Sequence, residues 1–187
     1  MPFLSEEQLA SIGFRSVGCC VKVSDGARFY GVRRIDLGDH CRIDDFALLS
    51  AGAGGISIGR YVHIACFCSL QGAAPVVFED YSGLSSRVAI YSSMDDFSGA
   101  AMAHPTIPAE LRQVETAPVR LERHALVGAG SVILPGVTLG IGSAVGALSL
   151  VRETVPPFTI VAGAPAKVRG ERRRDLLGLE RRLEKRE

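Results

Sequence analysis

Four histidines and one pair of adjacent aspartates are the residues of this 187-residue chain best suited to moving protons. The histidines are His40, His63, His104 and His124; a free imidazole changes charge near neutral pH, where a general base has to work. Asp95 and Asp96 open a polar stretch, MDDFSGAAMAHPTIPAELRQVETAPV, which also holds His104-Pro105. A carboxylate beside an imidazole fixes its tautomer and stabilises the imidazolium. Asp95 is the candidate for that orienting role, with Asp96 next to it; an Asx turn opening a loop is the alternative use of both. Metal chemistry has less support. Zinc-bound histidines must converge at about 2.0 Å from the ion, with supporting partners, and no HxxxxH pair occurs. The five cysteines are odd in number and contain no CxxC pair, which argues against a disulfide framework and against a zinc site. Without a GxGxxG before a helix or a P-loop, neither a Rossmann cofactor nor ATP is indicated.

The scaffold that positions these groups is repetitive. The length suits one domain, and a hydrophobic fraction of 47% with 22% charged residues is that of a globular protein. The net charge of +1 creates no field for nucleic acid or a membrane surface. Residues 1–14 have acidic residues and no apolar run, unlike a signal peptide, and no later segment is long and apolar enough to span a bilayer. A reducing, cytoplasmic compartment is expected. Twenty-one glycines against no tryptophan and 6% aromatics require a core of small and β-branched residues used many times.

The repeat is six residues long. Val127, Ile133, Leu139, Val145 and Val151 recur at that interval, each followed four residues later by Ser131, Val137, Ser143, Ser149 and Val155. The phase runs back through Leu121/Ala125, Leu84/Val88, Phe78/Ser82, Ile64/Cys68, Ile58/Val62, Ile43/Ala47, Leu37/Cys41 and Val23/Ala27. It breaks at 31–34, 51–57, 73–77 and 94–119. A helix would show spacings of three and four and a flat sheet a spacing of two. A period of six suits a parallel β-helix, with every sixth residue inward and glycines at corners. Cys41 and Cys68 fall at the small inward position and read as packing residues; Cys19 and Cys20 precede the repeat and receive no role. Ser5-Glu6-Glu7-Gln8 is a capping box that opens a short helix, with Gly13 to stop it. Beyond Pro156-Pro157 the repeat ends, and 171–187 reads as a charged helix with Leu176, Leu179 and Leu183 on one face. The expected organisation is one domain over 1–187. It comprises an N-terminal cap over 1–20, a β-helix over 21–168 with a loop at 95–118, and a C-terminal helix over 169–187.

The hexapeptide phase, its long interruption, and the segments VGAGSVILPGVTLGIGSAVGALSLV and PPFTIVAGAPAKV resemble the left-handed β-helix acyltransferases. Within them the chain is similar to the galactoside and maltose O-acetyltransferases and to bacterial polysaccharide acetyltransferases. The resemblance spans about 21–170. It implies an all-β, left-handed parallel β-helix, a homotrimer with acetyl-CoA bound between neighbouring prisms, and no required metal. It also implies acetyl transfer to a sugar hydroxyl or to the amine of an amino-sugar nucleotide, in lipopolysaccharide or O-antigen biosynthesis. Two other functions share the prism: a γ-class carbonic anhydrase-like metalloenzyme, which needs three converging histidines, and a non-catalytic structural β-helix.

On that resemblance His104 carries the base, as a His-Pro pair does in the equivalent loop of the galactoside group, although here it arrives nine residues late, after Asp95. His63, in the segment VHIA common to sugar-nucleotide N-acetyltransferases, is the rival, as base or as a donor beside the thioester. A plain loop histidine and a plain corner histidine are the alternatives for the two. Ala129 and Ala147, one coil apart, match positions that contact pantetheine. Lys167 and Arg169, with Arg152 as a further possibility, are placed for the nucleotide phosphates. Arg172–Arg174 could assist or could simply start a solvated helix. The His-Pro loop leans to oxygen as acceptor and VHIA to nitrogen.

Overall fold

The inward residues of the repeat fold into a β-solenoid of about seven turns, seen in a computed structural model that describes residues 2–186. Each coil contributes one short strand to each of three sheets. The first face carries Ser16–Val17, Ile35–Leu37, Ile56–Ile58, Val76–Phe78, Val119–Leu121 and Thr138–Leu139. The second carries Lys22–Val23, Arg42–Ile43, His63–Ile64, Gly83–Leu84, Leu126–Val127, Ala144–Val145 and Thr159–Ala162, and is closed by Lys167–Glu171. The third carries Arg28–Tyr30, Leu48–Ser50, Ser69–Gln71, Ala89–Tyr91, Val132–Ile133 and Leu150–Val151. Every pairing between coils is parallel, so inward residues stack in columns, as Ile43 on Ile64 and Leu84 on Val127. The columns form one continuous buried core. Burial pushes the inward Cys41 thiol up to about 12 and that of Cys68 to about 11, so both pack as small apolar groups.

The breaks in the sequence phase all fall at the corner between the third face and the first. Ile35 pairs with Ile56, a coil of 21 residues, whereas Val127 pairs with Val145, a coil of 18. The extra residues bulge outward there as the 3₁₀ turn Val32–Arg34 and as the Gly- and Ala-rich turns at 51–55 and 72–75. The long interruption leaves from the same corner as an antiparallel hairpin, Ser93–Asp95 against Val114–Thr116. Fully buried Ser92 braces its root: its Oγ accepts the Ala74 amide at 3.0 Å and reaches the carbonyls of Gln71 and Ala74.

The ends are capped as the sequence suggests, with one correction. The helix Glu6–Ile12 has the reciprocal Ser5–Gln8 capping box and a left-handed Gly13 at its C-cap. At the other end Lys167–Glu171 is a strand, and the helix is shorter than expected, Leu176–Glu184. Its leucine face is largely open, with Leu179 and Leu183 exposed. Glu180 anchors it instead, paired with Arg123 and accepting from His124 Nε2 at 2.8 Å. Burial, with Arg123 and Arg172 nearby, holds His124 below its usual range. A nine-residue helix is marginal without such tertiary contacts. Glu180→Ala is therefore expected to speed amide exchange across 176–184 while the β signal in circular dichroism stays unchanged.

Candidate active site

The candidate groups fall at two different corners of the prism. At the turn between the second and third faces, coils stack residue over residue. Ser85 N donates to Val127 O, Gly128 N to Val145 O, Gly130 N to Ser86 O, and Leu148 N to Ala129 O. Ser85, Gly128 and Gly146 thus form one column, and Ser86, Ala129 and Ala147 another beside it. Ala129 and Ala147 are both exposed, and together with Gly128 and Gly146 they make a groove of small residues along which a chain-like ligand can lie against the backbone. Inside it, the Ser131 hydroxyl accepts the Ser149 amide at 3.1 Å and the Ser149 hydroxyl accepts the Gly163 amide at 3.0 Å, which makes the corner stiff. Arg169 lies beside Gly163 at the groove's end. Arg152 and Lys167 are brought together elsewhere, lining a cavity of about 230 Å³ at the open end of the solenoid. Arg172 is a structural clamp, donating to the carbonyls of His124, Gly142 and Ser143.

His63 lies on the second face, just before this corner. Its Nε2 is 2.8 Å from Asp44 Oδ2, and Arg42 Nε donates to Asp44 Oδ1 at 2.6 Å. Asp44 is 9% exposed and His63 50%, so a nearly buried carboxylate orients a solvent-facing imidazole. Burial pushes the Asp44 carboxyl up, but Arg42 and His63 outweigh it and hold the group below its ordinary value. Sequence reasoning missed Asp44. Its signal was the 21-residue coil, which sets Arg42 and Ile43 beside His63 and Ile64.

The hairpin corner holds the other candidates. His104 lies in the exposed part of the loop, with its Nδ1 2.8 Å from the Thr106 hydroxyl and no carboxylate bonded to it among the described residues. Asp96 is committed to the turn: its carboxylate accepts the amides of Ser98, Gly99 and Ala101, and the Ser98 side chain together with these amides brings it down to about 2. Asp95, in contrast, is half-buried and engaged by no hydrogen bond among the described residues. It lines a cavity of about 120 Å³ with Met94, Asp96, Phe97, Gln113 and Glu115. The expected Asp95–histidine pair is not formed: no hydrogen bond joins Asp95 to His104 or to His63, whose partner is Asp44. The strand ends at Asp95 and Asp96 begins the turn, so the Asp96 carboxylate is taken up by turn amides while that of its neighbour is left available.

The turn held by Asp96 should respond to acid. A carboxyl lowered by folding contributes structure that is complete above its unfolded pKa of about 3.9. That contribution is lost as pH falls through the folded value of about 2. The amide resonances of Ser98, Gly99 and Ala101 are expected to shift together between those limits; shifts at higher pH would contradict the assignment.

His40 and His124 occupy one corner column with Tyr61 and Tyr81. The rings stack at 4.6, 5.3 and 5.0 Å along the ladder. Three converging histidines, as a γ-class anhydrase requires, are not found among the described residues.

No protein-family model matches the chain. The dTDP-4-amino-4,6-dideoxy-D-glucose acyltransferase of Escherichia coli is 47% identical over 180 residues, covering 96% of this chain and 94% of that protein. The chain belongs to the hexapeptide-repeat amino-sugar acyltransferases. AntD, an N-acyltransferase from Bacillus cereus, superposes with a TM-score of 0.96 at 39% identity, covering 99% of this chain and 98% of that one, in a serine-to-cysteine variant with dTDP-4-amino-4,6-dideoxyglucose and coenzyme A. It has also been solved with dTDP and 3-hydroxybutyryl-CoA, at a TM-score of 0.94 and 40% identity over 98% of this chain and 96% of that one. Other AntD variants replace an aspartate ten residues after that serine. Nodulation protein L of Rhizobium meliloti is 38% identical over 62% of this chain and 59% of its own length. The metalloenzyme and structural readings of the solenoid give way to the expected acyltransferase, and of its two acceptor options the relatives favour the amine, with O-acetyltransferases more distant.

Proposed function

We propose that the protein transfers an acyl group from acyl-CoA to the 4-amine of dTDP-4-amino-4,6-dideoxyglucose. The observation that carries this reading is the end-to-end likeness to AntD, whose structures hold that sugar nucleotide and coenzyme A. The acyl group extends beyond acetyl, as the 3-hydroxybutyryl-CoA complex of AntD suggests. The groove of Ala129 and Ala147 takes the pantetheine arm, and Arg169 at its end pairs with phosphate; Arg152 and Lys167 are too grouped around the separate end cavity to share that task equally.

At the reacting centre the amine nitrogen attacks the thioester carbonyl, the C–N bond forms, and the C–S bond breaks to release the CoA thiol. Asp95 accepts the proton that the amine sheds, and a proton is returned to the departing thiolate, so that CoA leaves as the thiol and the carboxylate is restored. The Ser85 hydroxyl, on the column beside Ala129, donates to the carbonyl oxygen as negative charge develops there. Two pairs in this chain reproduce the serine–aspartate separation of the AntD variants, Ser85/Asp95 and Ser86/Asp96. Ser86 Oγ already contacts Cys66 Sγ at 3.2 Å and Asp96 holds the turn, which favours Ser85 and Asp95. An amine, once deprotonated, is a stronger nucleophile than an alcohol, so no Asp–His dyad is required. His63, held by Asp44, acts as a donor near the thioester, and His104 is a loop residue.

Asp95 and Ser85 belong to different corners, so the complete site is made when the hairpin of one protomer reaches the groove of a neighbour in a homotrimer. A cytoplasmic location and a place in making cell-surface polysaccharide follow from the use of CoA and a sugar nucleotide. No helix is long and apolar enough to cross a membrane. The test is to incubate the protein with acetyl- or 3-hydroxybutyryl-CoA and either the 4-amino sugar nucleotide or its 4-hydroxy counterpart, following free thiol. Release with the amine alone is expected; equal release with the alcohol, or none with the amine, overturns the reading.

A further inference from the structure

Cys19 and Cys20 are adjacent and His40 follows twenty residues later, a spacing that matches no zinc motif, yet the solenoid gathers the three. Coil one and coil two stack in register at this corner: Gly18 N donates to Leu37 O at 2.7 Å, and His40 N donates to Cys19 O at 2.8 Å. The approach is close enough that a Cβ on Gly18 would collide with Asp39. As a result the two thiols and an imidazole nitrogen all lie within 4.8 Å of one another, with both cysteines exposed and free. The His40 ring is held flat against Tyr61, 4.6 Å away and 7° from parallel, so its edge is fixed in direction. Asp39 adds negative charge at the edge of the cluster, its Oδ1 accepting the Cys19 amide at 2.8 Å.

We propose that Cys19, Cys20 and His40 form a binding site for Zn²⁺ that ties the first coil of the solenoid to the second. Sulfur ligands at about 2.3 Å and nitrogen at about 2.0 Å from a tetrahedral ion stand roughly 3.5–3.8 Å apart. Drawing the donors in from 4.8 Å takes about 1 Å, which two exposed cysteine side chains supply by rotation. Thiolate and imidazole donors select zinc over the oxygen-seeking Mg²⁺ and Ca²⁺. Binding releases the thiol protons, and the Asp39 carboxylate supports the positive ion. Three protein donors leave the fourth position of the tetrahedron to water; the site is separate from the acyl-transfer groups and joins the coil that carries the N-terminal cap to the rest of the prism.

Co²⁺ is the probe. Full-length protein, reduced and treated with chelator, is titrated with Co²⁺ and then Zn²⁺. One equivalent of cobalt per chain should give thiolate-to-metal charge transfer in the near ultraviolet and the visible bands of a tetrahedral ion, both removed by one equivalent of zinc. Cys19→Ser and His40→Ala should each weaken binding by about 100-fold or more, and Asp39→Asn by about 10-fold. Cys66→Ser should leave the titration unchanged. Zinc should raise the melting temperature of the parent protein and not that of Cys19→Ser. Absence of thiolate–cobalt absorption, or its survival in the Cys19→Ser/Cys20→Ser double variant, overturns the proposal. So does an equal zinc-induced rise in melting temperature for the parent and Cys19→Ser.

Discussion

Asp95→Asn is expected to lower kcat by about 10²–10⁴, the range for a lost general base. That corresponds to about 2.7–5.5 kcal/mol of transition-state stabilisation. The substitution keeps the shape of a half-buried side chain that no described group bonds, so the fold and the hairpin should be unaffected. The KM for acyl-CoA should also hold, because the groove of Ala129 and Ala147 is on another corner. A fall in kcat with KM unchanged is the signature of a group that acts only in the transition state. His104→Ala, which removes an exposed loop histidine bonded to Thr106, should cost only a small fraction of that loss. His63→Ala should fall between the two, and Asp44→Asn should weaken the enzyme only while His63 is present, as expected of residues acting as one unit. Should Asp95→Asn keep full activity while His104→Ala loses it, the loop histidine would be the base after all.

Phe78→Ala is expected to destabilise the protein by about 3–5 kcal/mol. Phe78 is the largest of the fully buried side chains, and its strand pairs it with Ile58 in one direction and Leu121 in the other. Removing the ring leaves a hole between stacked coils that the hydrogen-bonded backbone cannot close. In a solenoid each coil is supported by its neighbours, so the defect falls midway along the stack and splits it. For a chain of this length each kcal/mol lowers the melting temperature by about 2–4 °C. A thermal melt followed by circular dichroism should therefore shift by roughly 10 °C. Phe78→Leu, which nearly conserves volume, should cost less than about 1.5 kcal/mol. A loss below about 1 kcal/mol for the alanine variant would mean that the coils slide to fill the space.

Much of this molecule was legible in its sequence because the fold repeats a local rule. Each inward residue of the hexapeptide phase, from Val23 to Val155, is buried where the period placed it. The capping box at Ser5 and the stop at Gly13 are likewise local, set by side chains three residues apart and by one left-handed backbone position. The stacking of Ala129 on Ala147 followed too, since that part of the chain keeps the strict 18-residue coil. Elsewhere the sequence could not say which residues meet. Coils of 20 or 21 residues, with their surplus pushed out at one corner, bring Asp44 under His63 and His40 against Cys19, pairs that no short motif displays. The choice between Asp95 and Asp96 was equally closed to inspection, because it depends on where the backbone amides of Ser98, Gly99 and Ala101 point once the hairpin turns. Arg172 looked like a phosphate ligand or a solvated residue until the fold aimed three carbonyls at it. Burial follows from periodicity, which one chain segment carries by itself. Which polar groups meet depends on the offset between coils, and that exists only when the whole stack has formed.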